Sequence, residues 1–239
     1  MENELNELLS KEERQVGRFY MMKFHDHVYY FSTMGCRNPE DLLMMFGLEK
    51  QLREDWWNVQ DGDVVVDVGA AHGSYTLPAL ACGAGLVIAF EPSHEETFDL
   101  LSNLFVNKWF RRCIVLPVLV GNSETVEDYD PVCHQGGPKH RHTERRMMTS
   151  LDSTLDGVSK LDWIKVDADG MELEVFKGAM ETIKKFRPRI INENHEALEP
   201  GVSTKIREIM VPLDYVEENR CENPSTNENW SLWTPKEKA

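Results

Sequence analysis

The sequence predicts an α/β fold: a mostly parallel sheet with helices on both faces, preceded by a smaller N-terminal extension. Three observations predict it. Residues 63 to 80, DVVVDVGAAHGSYTLPAL, read as strand, glycine-rich turn and helix. Their core, Val64 to Val68, is a short apolar run rich in β-branched residues and ended by Gly69, as in a strand buried on both faces. Similar runs then recur at 86–91, 113–118, 162–167 and 189–193, and helical patterns follow most of them.

Taken in order, residues 1 to 18 read as a short polar helix with Leu5, Leu8 and Leu9 on one edge. Residues 18 to 33 are aromatic and β-prone. Two runs flank His25-Asp26-His27, which predicts a hairpin whose histidines are solvated and not metal ligands. Asn38 is a good N-cap, Pro39 suits a first helical position, and Glu40 and Asp41 suit a first turn, so a helix is expected from there to residue 55, with Gly47 as a break. Met44 and Met45 suit either the core or the lining of a substrate pocket. Residues 1–60 are thus expected to form a helix, hairpin and helix that cover the active site of a main domain at 61–239.

In the helix expected at 73–83, Pro78 either introduces a kink or marks a start close to itself. After strand 86–91, Pro92-Ser93 caps a helix with early acids (Glu95, Glu96, Asp99) that runs to about Lys108. Strand 113–118 ends near a turn at Gly121-Asn122-Ser123-Glu124. Residues 125–149 read as a solvated loop that can also act as a lid. Lys139, Arg141, Arg145 and Arg146 give it local positive charge suited to an anionic substrate, while His134, His140 and His142 lack a recognised metal spacing. Beyond strand 162–167, one helix is expected over 171–186, stopped by Arg187-Pro188. Strand 189–193, a helix near 202–210 and closing strands at 214–217 and 229–234 complete the chain.

Composition narrows the function. The 239 residues are 41% hydrophobic, enough for one domain with extensions. A net charge of −15 argues against nucleic acid or an anionic membrane surface as partner. Cys36, Cys82, Cys113, Cys133 and Cys221 are scattered without any CxxC, which fits reduced thiols in the cytoplasm. The charged N-terminus lacks the apolar core of a signal peptide, and no stretch approaches the roughly 18 apolar residues of a membrane span. The expected partner is a small-molecule or glycan acceptor; a homo-oligomer stays open.

The glycine turn selects a ligand. A dinucleotide fingerprint needs G-x-G-x-x-G, whereas here Asp67 precedes Gly69, Ala71 and Gly73. A second acid, Glu91, ends the next strand, where a carboxylate can take both hydroxyls of a ribose. Two acids and no Lys or Arg in the turn suit S-adenosylmethionine, with its amino-acid end, sulfonium and phosphate-free ribose, better than a pyrophosphate. The alternative is a plain βαβ unit whose acids cap helices. The other strand ends carry Pro117-Val118, Asp167 and Glu193 through His195. Asp169 and Glu172 sit early in a helix and read as caps, while Asp167 is equally a cap or a functional group. His195 is the best candidate for a base accepting a hydroxyl or amine proton. Asp167, Glu193 and His195 all carry ligating atoms, yet no metal is expected there.

These motifs resemble the FkbM family of S-adenosylmethionine-dependent methyltransferases. Its D-V-G-A-N-x-G and following E-P are matched by Asp67-Val68-Gly69-Ala70-Ala71-His72-Gly73 and by Glu91-Pro92. Its T-L-D segment and I-K-I-D-x-E-G-x-E signature are matched by Thr149-Ser150-Leu151-Asp152 and by Ile164-Lys165-Val166-Asp167-Ala168-Asp169-Gly170-Met171-Glu172. The resemblance covers about residues 60 to 197, with Ala71 in place of the usual Asn and Asp169 in place of the usual Glu. It implies a Rossmann-like class I methyltransferase fold with a seven-stranded sheet, and O-methylation, often of sugars or natural-product hydroxyls. It also implies that Asp67, Gly69, Ala71 and Gly73 line the methionine end of the cofactor, that Glu91-Pro92 holds the ribose and that Val118 approaches the adenine. N-methylation, a nucleotide-binding oxidoreductase and a non-catalytic cofactor-binding module are the competing readings.

Overall fold

In the computed structural model, residues 14–16, 19–32, 49–129, 144–223 and 228–239 are described. Arg14–Val16 (β1), Phe19–Phe24 (β2) and His27–Ser32 (β3) form an antiparallel sheet of three strands. The expected hairpin is therefore present, and His25, at its turn, has a φ of 50°. The helix expected over 1–18 is corrected at its end. Residues 14–16 pair with Phe19–Met21 as a strand, and the rest of that helix lies outside the described residues. So do Asn38 through Leu48, where the second helix was expected to begin; its end is helical, Lys50–Trp56 (α1).

Val64–Val68 (β4), Leu86–Phe90 (β5) and Cys113–Leu116 (β6) are joined by Thr76–Ala81 (α2) and His94–Val106 (α3). Pro78 falls in the first turn of α2, where the missing N–H has no intrahelical acceptor to lose. Ser93 caps α3 as expected, its hydroxyl accepting from the Glu96 N–H at 3.3 Å. Leu119–Val120 (β7), Thr125–Tyr129 (β8) and Glu144–Thr149 (β9) form a second small sheet. The loop expected at 125–149 is corrected at both ends, because β8 and β9 pair and bury Tyr129, Arg146 and Met148. Residues 130–143, with the three histidines, lie outside the described residues.

Leu151–Thr154 (α4) leads to Trp163–Val166 (β10). The single helix expected next is two, Glu172–Lys177 (α5) and Met180–Phe186 (α6). Gly178 breaks it: a Cβ there would lie 2.0 Å from the Gly121 carbonyl oxygen. Asp152 caps α6 from outside, accepting from the N–H groups of Glu181 (3.1 Å) and Thr182 (2.7 Å). Arg189–Asn194 (β11), Val202–Met210 (α7), Tyr215–Asn223 (β12) and Glu228–Pro235 (β13) finish the fold.

The main sheet has seven strands in the order β12-β13-β11-β10-β4-β5-β6. All pairs from β11 to β6 are parallel, and β13 runs antiparallel to both its neighbours. Alternating residues feed two cores. Val65, Val87, Trp163 and Ile191 meet α1, α2, α3 and the hairpin on one face, and Val66, Ile88, Ile164 and Ile190 meet α5, α6 and α7 on the other. The hairpin is tied to α3 by two side-chain amides. Asn103 Oδ1 accepts from the Ser32 N–H at 2.7 Å, and Asn107 Oδ1 accepts from the Tyr30 N–H at 2.8 Å. One turn apart at the end of α3, they serve alternate residues of a strand that, among the described residues, has no strand neighbour on that side. Among the described residues, no helix is long and apolar enough to cross a membrane.

Candidate active site

The chain leaves β4 towards β5 and β6 on one side and returns through β10 and β11 on the other. The order reverses between β4 and β10, and a crevice at such a point lies beyond the strand carboxyl ends. Register then collects the polar residues. Lys165 pairs with Asp67 on one side and Ile191 on the other. Two residues further on, the same face carries Gly69, Asp167 and Glu193, and His195 follows two beyond Glu193.

The glycine turn is built by backbone constraint. Gly69 has a φ of 72°, and a Cβ there would lie 1.7 Å from the Asp167 carbonyl oxygen. Gly73 has a φ of 101°. Ala71 also adopts a positive φ, 45°, a region that L-residues other than Asn, Asp and Gly enter at a cost. Its N–H donates to Glu91 Oε2 at 2.8 Å, and the Ser93 N–H donates to Oε1 at 2.7 Å. Glu91 is thus buried at the base of the turn. Burial and neighbouring Glu96 push its carboxyl well above the usual range, against the two amides. The Pro92 carbonyl accepts from Arg146 Nε at 2.6 Å, and Arg146 also pairs with Glu144. This corrects the idea that Arg146 is free to receive an anionic substrate. Val118 is half-buried against the core that includes Phe90 and Val120.

Asp67 is fully buried. Its Oδ2 accepts from Thr76 Oγ1 at 2.6 Å, and its Oδ1, which has no hydrogen-bond partner among the described residues, is 3.8 Å from Lys165 Nζ. Burial raises its pKa, and Lys165 and Thr76 oppose the shift. Lys165 Nζ donates to the Gly69 carbonyl at 2.8 Å and to Asp167 Oδ2 at 3.1 Å, tying the glycine turn to β10. Burial disfavours its charge, but Asp167 and Asp67 outweigh burial and hold the ammonium above its usual range. Lys165 was not singled out from sequence, although a lysine inside an otherwise apolar strand is a visible signal. Tyr75, on the turn before α2, stacks on Trp230 at 5.9 Å and meets Trp57 edge-on at 5.3 Å.

The third group lies at the tips of β10 and β11. His195 Nδ1 is 2.8 Å from Glu172 Oε1, so with Glu172 ionised Nδ1 is the donor. Glu172 is fully buried and also accepts from the N–H groups of Ala168 and Gly170, each at 3.1 Å. Glu172, expected as a helix cap, instead holds the loop before α5 through those two N–H groups, and the same carboxylate orients a ring, a task that the sequence does not reveal. His195 Nε2 points among Asp169 (3.7 Å), Glu193 (3.8 Å) and Asp167 (3.9 Å). Burial lowers the imidazole pKa, but the Glu172 hydrogen bond and the charges of Asp167 and Glu193 outweigh it and carry it up to about 10. The ring is therefore protonated at neutral pH and does not stand ready as the base expected from sequence. Asp169, expected as a cap, has a φ of 49°, and its Oδ1 lies 3.7 Å from His195 Nε2. Asn192 and Asn194 face the opposite side, where Asn192 accepts from Trp233 Nε1 at 2.8 Å and donates to Asn194 at 2.9 Å.

Comparisons with known proteins identify the family and the fold. Residues 67–220, more than half of the chain, match the family described as the methyltransferase FkbM domain. The chain belongs to this family. A hexuronic acid methyltransferase of Haloferax volcanii, AglP, is 30% identical over 156 residues, which is 62% of this chain and 62% of AglP. A crystal structure of methyltransferase FkbM from Methylobacillus flagellatus superposes with a TM-score of 0.55 at 18% identity, over 84% of this chain and 57% of that one. A ribosomal protein L11 methylase from Lactobacillus delbrueckii gives 0.50 at 15% identity, over 83% and 82%. This chain thus spans less than two thirds of AglP and of the Methylobacillus protein. The fold is the Rossmann-like class I methyltransferase fold, with its mainly parallel sheet, as the sequence predicts. Within the FkbM family signature, Asp152 is the helix cap described above and Lys165 is the buried tie between the two halves of the sheet.

Proposed function

We propose that this chain is an S-adenosylmethionine-dependent methyltransferase acting in the cytoplasm on a hydroxyl of a sugar or a small natural-product-like acceptor. The observation that carries the reading is the carboxylate-rich cluster at the tips of β10 and β11, beside a glycine turn that has an acid at each strand end. Such a cluster suits an acceptor with many hydroxyls. The relation to a hexuronic acid methyltransferase supports a sugar.

In this reading Gly69, Ala71 and Gly73 receive the methionine end, with Asp67 supporting the turn from beneath. Glu91 and Pro92 receive the ribose, and Val118 meets the adenine. The acceptor oxygen attacks the methyl carbon in line, an O–C bond forms, the C–S bond breaks, and S-adenosylhomocysteine leaves. The hydroxyl proton passes to a carboxylate of the cluster that surrounds His195. Most of the rate comes from alignment in a desolvated crevice. Within residues 1–60, the hairpin and α1 extend the domain at 61–239 by packing on one face of its sheet.

Calorimetric titration with S-adenosylhomocysteine, beside Glu91→Ala and with NAD as control, tests the cofactor. Binding by the wild type that collapses in the variant is expected; tight NAD binding would favour an oxidoreductase. Transfer of a labelled methyl group to a panel of hexuronic acids, neutral sugars and amines tests the acceptor. Label on a sugar oxygen is expected. Label on an amine alone would turn the reading to N-methylation, and cofactor binding with no transfer would turn it to a non-catalytic module.

A further inference from the structure

We propose that Asp167, Glu193 and His195 bind a divalent cation of the Mg²⁺ or Mn²⁺ class at the tips of β10 and β11. The role of that cation rests on the methyl-transfer reading above; its binding does not.

The ligand atoms are already gathered. One carboxylate oxygen each from Asp167 and Glu193 and one nitrogen of His195 lie within 4.8 Å of one another. Cation–ligand bonds of about 2.0 to 2.2 Å place neighbouring ligands roughly 3 to 4 Å apart, so small side-chain adjustments close the site. The second carboxylate oxygen of Asp167 is held by Lys165 Nζ at 3.1 Å, which fixes the group and leaves Oδ1 on the histidine side.

The histidine is set as a ligand, its Nε2 proton passing to solvent when the cation binds. Its Nδ1 is committed to a buried carboxylate, and that carboxylate is anchored by two backbone N–H groups of the loop 168–170. A carboxylate behind a histidine in this way fixes the tautomer and ring angle that a metal needs at the other nitrogen. Asp169 Oδ1, 3.7 Å from Nε2, adds a third oxygen at the rim.

A separate observation points to an occupant. The Tyr75 hydroxyl is buried and, among the described residues, has no hydrogen-bond partner, and its ring centroid lies 5.3 Å from Lys165 Nζ, the group that holds Asp167. Buried hydroxyls seldom lack a partner. Water held by a cation between the two carboxylates would supply one. Two carboxylates and one imidazole with open positions suit Mg²⁺ or Mn²⁺ better than a thiolate-seeking metal. When bound, the cation would take the acceptor hydroxyl as a further ligand and increase its acidity. The released proton goes to Asp169, the most exposed carboxylate of the group.

Titration of the whole chain with Mn²⁺, read as loss of the free-ion EPR signal, tests the site. One Mn²⁺ per chain is expected, competed by excess Mg²⁺. Glu193→Gln and His195→Gln should abolish binding. Glu172→Gln, which changes the group behind the ring and leaves the three ligands in place, should weaken it by about 10- to 100-fold. Glu124→Gln, outside the cluster, should leave it unchanged. Thermal unfolding of each variant confirms that the samples are folded. Absence of Mn²⁺ binding by folded wild type, or binding that survives both Glu193→Gln and His195→Gln, would overturn the site. S-adenosylhomocysteine titration of the same samples separates the two readings. Cofactor bound without Mn²⁺ overturns only the cation, and Mn²⁺ bound without cofactor overturns only methyl transfer.

Discussion

Gly69 approaches β10 so closely that a Cβ on it would lie 1.7 Å from the carbonyl oxygen of Asp167. The first residue belongs to the glycine turn after β4 and the second ends β10. The two most informative stretches of the sequence are therefore in backbone contact across the point where the strand order reverses.

Gly69→Ala is expected to destabilise the fold by more than about 2 kcal/mol. A left-handed φ alone costs an alanine about 1 to 2 kcal/mol, and the backbone overlap adds to it. Ala71 gives the opposite sign. It already occupies φ 45°, so Ala71→Gly should stabilise by about 1 kcal/mol, with Ala71→Asn gaining less. Thermal and urea unfolding of the three variants checks both signs; a stabilised Gly69→Ala would refute the close approach.

Lys165→Met should cost about 3 to 5 kcal/mol, because it leaves Asp67 and Asp167 without their buried cation. Adding Asp67→Asn should recover part of that loss, since the two groups form one network. Urea unfolding of both single variants and the double variant measures the coupling. Purely additive losses would mean that Lys165 and Asp67 do not interact.

Asn103→Ala should cost about 1 to 3 kcal/mol by removing the acceptor of the buried Ser32 N–H. Hydrogen exchange should also quicken at Ser32 and Tyr30 and stay unchanged in β4. Unchanged exchange in the hairpin would show that Asn103 does not hold it.

Glu237 accepts from Arg187 Nε at 2.9 Å and from its guanidinium NH₂ group at 3.0 Å. The hydrogen bonds from Arg187 hold this carboxyl down at about 2, from an ordinary 4.5. A depressed folded-state pKa contributes stability above the unfolded value and loses it as pH falls through the folded one. Glu237→Gln should therefore lower Tm slightly at neutral pH, with the difference shrinking between pH 4.5 and about 2. The pair is exposed, so the effect is small and fades in salt. A Tm difference that persists below pH 2 would refute this assignment.

The order of strands and helices from β4 to α7 was legible in the sequence. Long apolar runs and glycine or proline stops are local signals, and the buried strands of a parallel sheet carry them strongly. Asp67, Glu91, Asp167, Glu193 and His195 were legible too, because strand ends in such a sheet converge on one edge. Period and spacing do not reveal non-local contact. The break at Gly178 depends on a carbonyl of Gly121 far away in sequence, and the pairing of β8 with β9 depends on partners across residues 130–143. Glu172 reads as a helix cap from its position and becomes a clamp on His195 only when β11 lies beside β10. The sequence by itself determined the fold class and the set of polar strand tips, since both follow from local pattern. The tertiary structure alone decided which tip faces which and which groups are buried. It thereby decided that His195 stands among carboxylates instead of facing solvent as a free base, since burial and charge proximity are properties of packing.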